Sequence, residues 1–143
     1  MIGEAVRDSG AFGGLPLSLA VIVLLYPLHT FLSLKLLAGL IIAYALTAGI
    51  RFMYYKERPL PKRHTNVFER IDASSFPSLH AMRATLLAGV LSAVLVHPLQ
   101  LGVLGICVLL TCYSRVHTQK HHASDVVAGV VFGALIVLGL RYF

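Results

Sequence analysis

Apolar residues are concentrated in five runs, separated by short polar segments. The runs are residues 13–32, 34–55, 80–96, 99–114 and 125–142. A helix that spans a bilayer needs about 20 apolar residues, with a range of about 17 to 25, so the first two runs are long enough and the last three are short. We interpret all five as spans because so few charges separate them. The pattern predicts an all-α fold, a polytopic transmembrane helix bundle with about five spans.

Four local signals refine this pattern. Pro16 and Pro27 predict that the first helix is kinked or stopped near Tyr26. Only His97-Pro98 separates the third and fourth runs, which predicts a tight antiparallel hairpin. In the long loop, Glu69 follows Asn66 by three residues, so residues 66–71 are either a short capped helix or a plain loop. The small-residue pair Gly129 and Gly133 predicts close helix packing, either within the chain or in a homo-oligomer.

Composition supports membrane integration and a single domain, residues 1–143. The chain is 57% hydrophobic and only 13% charged, with a net charge of +6, against about a quarter charged in soluble proteins. The cations cluster in loops that flank apolar runs, so we expect a bilayer and anionic lipid headgroups or phosphate esters as partners, and no nucleic acid. The N-terminus, with Glu4, Arg7 and Asp8, lacks the features of a signal peptide, so we expect it to be retained.

Alternation through five spans places the N-terminus, loop 51–79 and loop 114–124 on one side of the membrane. Most cations lie on that side, and only Lys35 and Arg141 mark the other. The positive-inside rule therefore predicts that the polar side faces the cytoplasm. We expect the protein to lie in the cell membrane of a prokaryote, with its functional site at the cytoplasmic face.

Three polar clusters share that side. Arg51 and Arg58 are seven residues apart, which puts them on one helical face before Pro59 stops the helix. Two guanidinium groups in register can bind an oxyanion, or they can simply anchor a helix end.

The second cluster precedes the third run. Pro77 and Ser78 predict a helix start, where free backbone N–H groups favour a bound phosphate, and His80 falls in the first turn. The alternatives are that Ser78 only caps the helix and that His80 only lies at the membrane interface.

The third cluster is residues 114–125, which supplies Arg115, His121 and Asp125. If a helix begins near Ala123 or earlier, His121 and Asp125 lie four residues apart on one face, where the carboxylate can accept a hydrogen bond from the imidazole. Ionisable groups at a membrane are functional candidates by default.

Together the clusters resemble the three-part signature of the type 2 phosphatidic-acid phosphatase superfamily, which includes membrane lipid phosphatases. That signature is Lys-x6-Arg-Pro, Pro-Ser-Gly-His and Ser-Arg-x5-His-x3-Asp. This chain has Arg51-x6-Arg58-Pro59, Pro77-Ser78-Leu79-His80 and Ser114-Arg115-x5-His121-x3-Asp125. The order and spacings fit, and the motif-bearing core is residues 34–143. Arg51 departs from the family Lys and Leu79 from the family Gly, and the chain has five spans where the family usually has six.

The resemblance implies roles for these residues. His121 is the nucleophile that forms a phosphohistidine, Asp125 orients it, and His80 protonates the leaving group and then activates water. The transferring phosphoryl group is stabilised by Arg51, Arg58, Arg115 and the N–H groups near Ser78 and Leu79. Neither a metal nor another cofactor is expected. The substrate class is a membrane lipid phosphate or diphosphate: phosphatidate, phosphatidylglycerol phosphate or a polyprenyl phosphate or diphosphate.

Other readings stay open. His117, His121 and His122 resemble one histidine box of a metal-dependent membrane oxidoreductase, although three nearby arginines would repel a cation. A serine hydrolase using Ser78 or Ser114 lacks a nucleophile-elbow sequence. A non-enzymatic family member that binds anionic lipid, inactivated by Leu79, is the third alternative.

Overall fold

The computed structural model describes residues 10–142, and all regular secondary structure in this range is helical. A 3₁₀ turn at Gly10–Gly13 precedes six helices: α1 Leu15–Leu25, α2 Thr30–Met53, α3 Val67–Ala73, α4 Leu79–Leu91, α5 Pro98–His117 and α6 Ala123–Leu140. The predicted all-α fold is confirmed. The N-terminal residues Glu4, Arg7 and Asp8 lie outside the described residues.

Three helices, α2, α5 and α6, are long and apolar enough to cross a membrane, while α1 and α4 are shorter apolar helices. Their outward faces carry large apolar side chains, such as Val23, Leu99 and Leu109, each more than two-thirds exposed. Water-soluble monomers rarely expose apolar surface on this scale. The outer surface of the bundle therefore suits contact with lipid.

Two helix boundaries differ from the predicted runs. Helix α1 ends at Leu25 with Tyr26 as its C-cap, as predicted, but α2 already begins at Thr30. Helix α4 ends at Leu91 rather than near residue 96. Ser92 is its C-cap and donates its hydroxyl hydrogen to the Gly89 carbonyl, 2.8 Å away. The connection to α5 is thus residues 92–97, longer than the predicted hairpin.

The short helix α3 follows its predicted cap. The Asn66 side chain accepts a hydrogen bond from the Glu69 N–H at 2.8 Å, and the Glu69 carboxylate accepts one from the Thr65 N–H at 2.7 Å. These reciprocal bonds satisfy donors at the start of the helix. The predicted short helix is confirmed, and the plain-loop alternative is wrong.

Helix α4 is the centre of the bundle and packs against α2, α5, α6 and the 3₁₀ turn. The buried core is contributed by α2, α4 and α6, through Leu36, Leu40, Ala43, Met82, Leu86, Leu87, Val90, Ile136 and Leu140. A Cβ atom added at Gly129 would lie 2.4 Å from the Ser78 carbonyl oxygen, and one at Gly133 would lie 2.7 Å from that of Met82. The small-residue face is thus packed against α4, as expected for close packing within the chain, and the alternative that it joins two copies has no support.

Candidate active site

The three predicted polar clusters meet at one end of the bundle. Helix α2 contributes Arg51, whose Nη2 donates a hydrogen bond to the Pro77 carbonyl at 2.8 Å. The N–H of Ser78, at the start of α4, donates to the Asp125 carbonyl in α6 at 2.9 Å. Residues far apart in sequence are therefore tied together through backbone groups.

The two arginines of the first cluster do not share a helical face, so this prediction is wrong. Helix α2 ends at Met53 and Tyr54 is extended, with φ −130° and ψ 110°, which leaves Arg58 in the following loop. Arg58 turns back toward the bundle, and its Nη2 donates to the Asp72 carbonyl at 2.5 Å. Its charge still acts on both Arg51 and Arg115.

The Nε atoms of Arg51, Arg58 and Arg115, like that of Arg83, are buried and have no hydrogen-bond partner among the described residues. Arg51 is only 7% exposed and Arg115 only 9%. Buried donors are normally paired, since an unpaired one costs free energy. Three converging guanidinium groups with spare donors suit an oxyanion with several oxygens, such as a phosphoryl group.

His121 lies in the segment between α5 and α6 and is 4% exposed. Its Nδ1 atom is 2.7 Å from the backbone carbonyl oxygen of Ser75. A carbonyl oxygen can only accept a hydrogen bond, so Nδ1 must carry the proton, which leaves the lone pair on Nε2. The Ser75 carbonyl therefore selects the tautomer in which Nε2 is a nucleophile.

His121 is also held in its neutral form. Burial is the main cause that lowers the pKa of His121 to about 4, and the positive charges of Arg58, Arg51 and Arg115 lower it further. The hydrogen bond to the Ser75 carbonyl opposes this shift. At neutral pH the imidazole is unprotonated at Nε2.

Asp125 does not orient His121 by a direct hydrogen bond, in contrast to the prediction. Because α6 begins at Ala123, His121 lies before the helix and the two side chains do not share a helical face. The fully buried Asp125 carboxylate instead accepts a hydrogen bond from the His122 N–H at 2.9 Å and pairs with the Lys56 ammonium group at 2.5 Å. Asp125 fixes the start of α6, directly after the nucleophile candidate.

Ser78 acts as the N-cap of α4, as in the simpler alternative. Its hydroxyl oxygen is 3.5 Å from the Ala81 N–H, and its own N–H donates to the Asp125 carbonyl, so this N–H is not directed to a phosphate.

Leu79 follows as the first residue of α4. Gln119 is the one non-glycine residue in the described chain with positive φ, so Leu79 has ordinary torsions despite replacing the family glycine. Its side chain packs against the core, and its N–H, like others in a first turn, has no acceptor within the helix.

His80 is the second residue of α4 and lies close enough to Arg115 and His121 to interact electrostatically with both. The 3₁₀ turn covers it from the other side: a Cβ atom at Gly13 would lie 2.4 Å from the His80 carbonyl oxygen. A Cβ atom added at Gly10 would lie 3.2 Å from Nη1 of Arg115. This turn thus forms a wall of the site.

Sequence reasoning missed Lys56, Ser75 and the 3₁₀ turn. Nothing in the sequence distinguishes Lys56 from the other cations of loop 51–79. Ser75 acts through its backbone carbonyl, which leaves no side-chain signal in a sequence. Gly10 and Gly13 are small residues near the start of the first apolar run, but nothing in the sequence indicates which helices they approach.

Two histidines of the metal-site alternative, His117 and His122, are exposed and have other partners. His117 is exposed and stacks on Tyr113 at a centroid distance of 5.4 Å, and the exposed His122 has its Nε2 3.2 Å from the Glu57 carbonyl oxygen. Within residues 10–142, no three His, Cys, Asp or Glu side chains are grouped so that they could hold a metal ion. The described residues therefore do not fit the histidine-box reading.

Comparison with known proteins agrees with the geometry. A search of curated proteins and a search of solved structures gave no match for the chain. The sequence model of the PAP2 superfamily, a group that is generally made up of phosphatases, matches residues 32–143. This match covers α2 except for its first two residues, α3 to α6 and all three polar clusters, and the chain belongs to the PAP2 superfamily.

Proposed function

We propose that this chain hydrolyses a membrane lipid phosphate or diphosphate through a phosphohistidine at His121. The observation that carries the proposal is the hydrogen bond from His121 Nδ1–H to the Ser75 carbonyl, because it leaves Nε2 as the nucleophilic nitrogen beside three arginines. Membership of the superfamily supports phosphatase activity in general.

In the first step, Nε2 of His121 attacks phosphorus, a P–N bond forms and the P–O bond to the lipid breaks. His80 enters as the imidazolium and gives its proton to the leaving oxygen, which leaves His80 neutral. The leaving group departs as an alcohol or, for a diphosphate, as a lipid phosphate. Arg51, Arg58 and Arg115 stabilise the negative charge on the equatorial oxygens. The spare Nε donors support this role, since no described residue supplies an acceptor for them.

In the second step, neutral His80 takes a proton from water, whose oxygen attacks phosphorus as the P–N bond breaks. Inorganic phosphate is released and Nε2 of His121 is restored. The positive charge that a divalent metal would otherwise supply comes from the guanidinium groups. Apart from the attacking water, no group outside the protein and its substrate enters either step.

A lipid substrate is supported by the position of the site. Arg51 lies near the end of the long apolar helix α2, and His121 directly precedes the apolar helix α6. A phosphate group at the membrane surface can reach both while its hydrocarbon chain stays in the bilayer. Long-chain lipid phosphates should therefore be hydrolysed faster than water-soluble short ones, and equal turnover would contradict this part of the proposal.

Phosphate release from phosphatidate, phosphatidylglycerol phosphate and polyprenyl phosphates by purified protein tests the function. We expect release that resists chelators, is inhibited by vanadate and is lost in His121→Ala, while His117→Ala retains it as the matched control. Rapid quenching with ³²P-labelled substrate should trap an acid-labile, base-stable phosphoprotein. A His121→Ala protein as active as the parent, or loss of activity with chelator alone, would refute the proposal.

A further inference from the structure

A second positively charged region lies at the end of the bundle opposite the candidate active site. Lys35 precedes Arg51 by 16 residues on α2, and Arg141, the C-cap of α6, follows Asp125 by 16 residues. At 1.5 Å per residue, both lie about 24 Å from the site residues along their helices. With a hydrocarbon core about 30 Å thick, long basic side chains at that depth reach the opposite headgroup region.

Lys35 and Arg141 face the same space. Both line a cavity of about 370 Å³ between α2, α4 and α6, together with Ser92. The acidic residues of the described chain, Glu57, Glu69, Asp72 and Asp125, all lie in or beside the loops at the other end. Neither cation forms an ion pair with a described residue. The cavity therefore attracts an anion, and the described part of the protein supplies none.

An apolar groove of about 690 Å³ starts at this cavity and runs between α2 and α6. Lys35 and Leu140 line both spaces, so the groove adjoins the cavity. On α2 the groove extends from Phe31 to Leu46, about 22 Å at 1.5 Å per residue. One leaflet of the hydrocarbon core is about 15 Å thick, so the groove is long enough for an acyl chain.

We propose that Lys35 and Arg141 bind the phosphate of one anionic diacyl phospholipid, with an acyl chain lying in the α2–α6 groove. The combination identifies the ligand class. A free anion would use the two cations but not the groove, whereas a zwitterionic lipid would carry its own cation toward Lys35 and Arg141. An anionic phospholipid matches both the charge and the apolar surface. This site is separate from the proposed phosphatase site.

Binding of phosphatidylglycerol tests the proposal, since this lipid has no phosphomonoester for the candidate active site. Native mass spectrometry of the purified chain in detergent should show one tightly bound phosphatidylglycerol and much weaker binding of phosphatidylcholine. Lys35→Gln and Arg141→Gln should each weaken the binding about fivefold, as expected for the loss of one basic residue near a lipid surface. Arg63→Gln, an exposed cation in the loop at the other end, is the matched control and should have no effect.

The groove has its own test. Leu34→Trp fills the groove and should displace the lipid, while Leu109→Trp, at a lipid-facing position of α5 outside the groove, should not. A phosphatidylglycerol with a diazirine in its acyl chain should label α2 and α6 peptides. Equal binding of both lipids, equal stabilisation by inorganic phosphate, or labelling mainly of α5 would each overturn the proposal.

Discussion

Replacing Lys56 by methionine should lower the free energy of unfolding more than the same change at Lys62, the other loop lysine that forms an ion pair. The substitution keeps an unbranched side chain of similar length and removes the ammonium group that lies 2.5 Å from the Asp125 carboxylate. The Asp125 side chain has no exposed surface, while that of Lys56 is 26% exposed. Asp125 would be left as a buried charge whose remaining donors include the His122 N–H.

The expected cost follows from this burial. Breaking a buried pair by removing one partner costs about 3 to 5 kcal/mol. Because Lys56 is partly exposed and the His122 N–H still donates to Asp125, we expect the lower end, about 3 kcal/mol. Lys62→Met is the matched control, since Lys62 pairs with Asp72 in the same loop but both side chains are more than half exposed. Exposed pairs contribute about 0 to 1 kcal/mol.

The measurement is thermal or chemical unfolding in detergent, followed by far-ultraviolet circular dichroism because the sequence contains no tryptophan. Adding Asp125→Asn to Lys56→Met should recover part of the lost stability, since it removes the uncompensated charge. Equal losses in Lys56→Met and Lys62→Met, or a double variant less stable than Lys56→Met alone, would refute the reasoning.

Three further changes test the packing and the site. Gly129→Ala should lower the free energy of unfolding by about 1 to 3 kcal/mol, because the added Cβ atom would lie 2.4 Å from the Ser78 carbonyl oxygen. Gly139→Ala is the control and should be neutral or stabilising, because nothing lies within 4 Å of its added Cβ atom. Gly10→Ala should push the Arg115 guanidinium, 3.2 Å from the new Cβ, and lower kcat/KM on the order of tenfold without changing the unfolding midpoint. The pKa of His121 is about 4 in the folded chain against an ordinary 6.5, so the unfolded state binds more protons between these two pH values. The free energy of unfolding should therefore fall as the pH drops from 6.5 to 4. His121→Gln should flatten this pH dependence in unfolding experiments.

The helices and the meeting of three polar clusters could be predicted from the sequence because each depends on a local pattern. Apolar runs with few charges between them predict the helices, and Asn66 with Glu69 predicts the cap of α3. Alternation of spans then placed the clusters at one end without knowledge of any tertiary contact. The coarse architecture follows from the need to bury or solvate whole segments.

The fine placement of side chains could not be predicted, for physical reasons that differ between residues. The spacing of Arg51 and Arg58 indicated one face only if the helix continued, but Tyr54 is extended and the helix ends five residues before Arg58. The partner of Asp125 is Lys56, 69 residues away, and no local pattern connects them. The acceptor for His121 is a main-chain oxygen, whose position depends on the whole path of loop 54–78.

These contacts also explain how loop 54–78 links the two halves of the candidate site. The Lys56 carbonyl accepts a hydrogen bond from the Ser75 N–H at 2.8 Å, so the residue that neutralises Asp125 also holds the residue that orients His121. Asp125 in turn accepts from the backbone of His122, the neighbour of the nucleophile candidate. The orientation of His121 is therefore shared between a carbonyl on one side and a capped helix start on the other. A carboxylate in direct contact with the imidazole is not needed for Nε2 to be the free nitrogen, and Asp125 contributes by fixing where α6 begins.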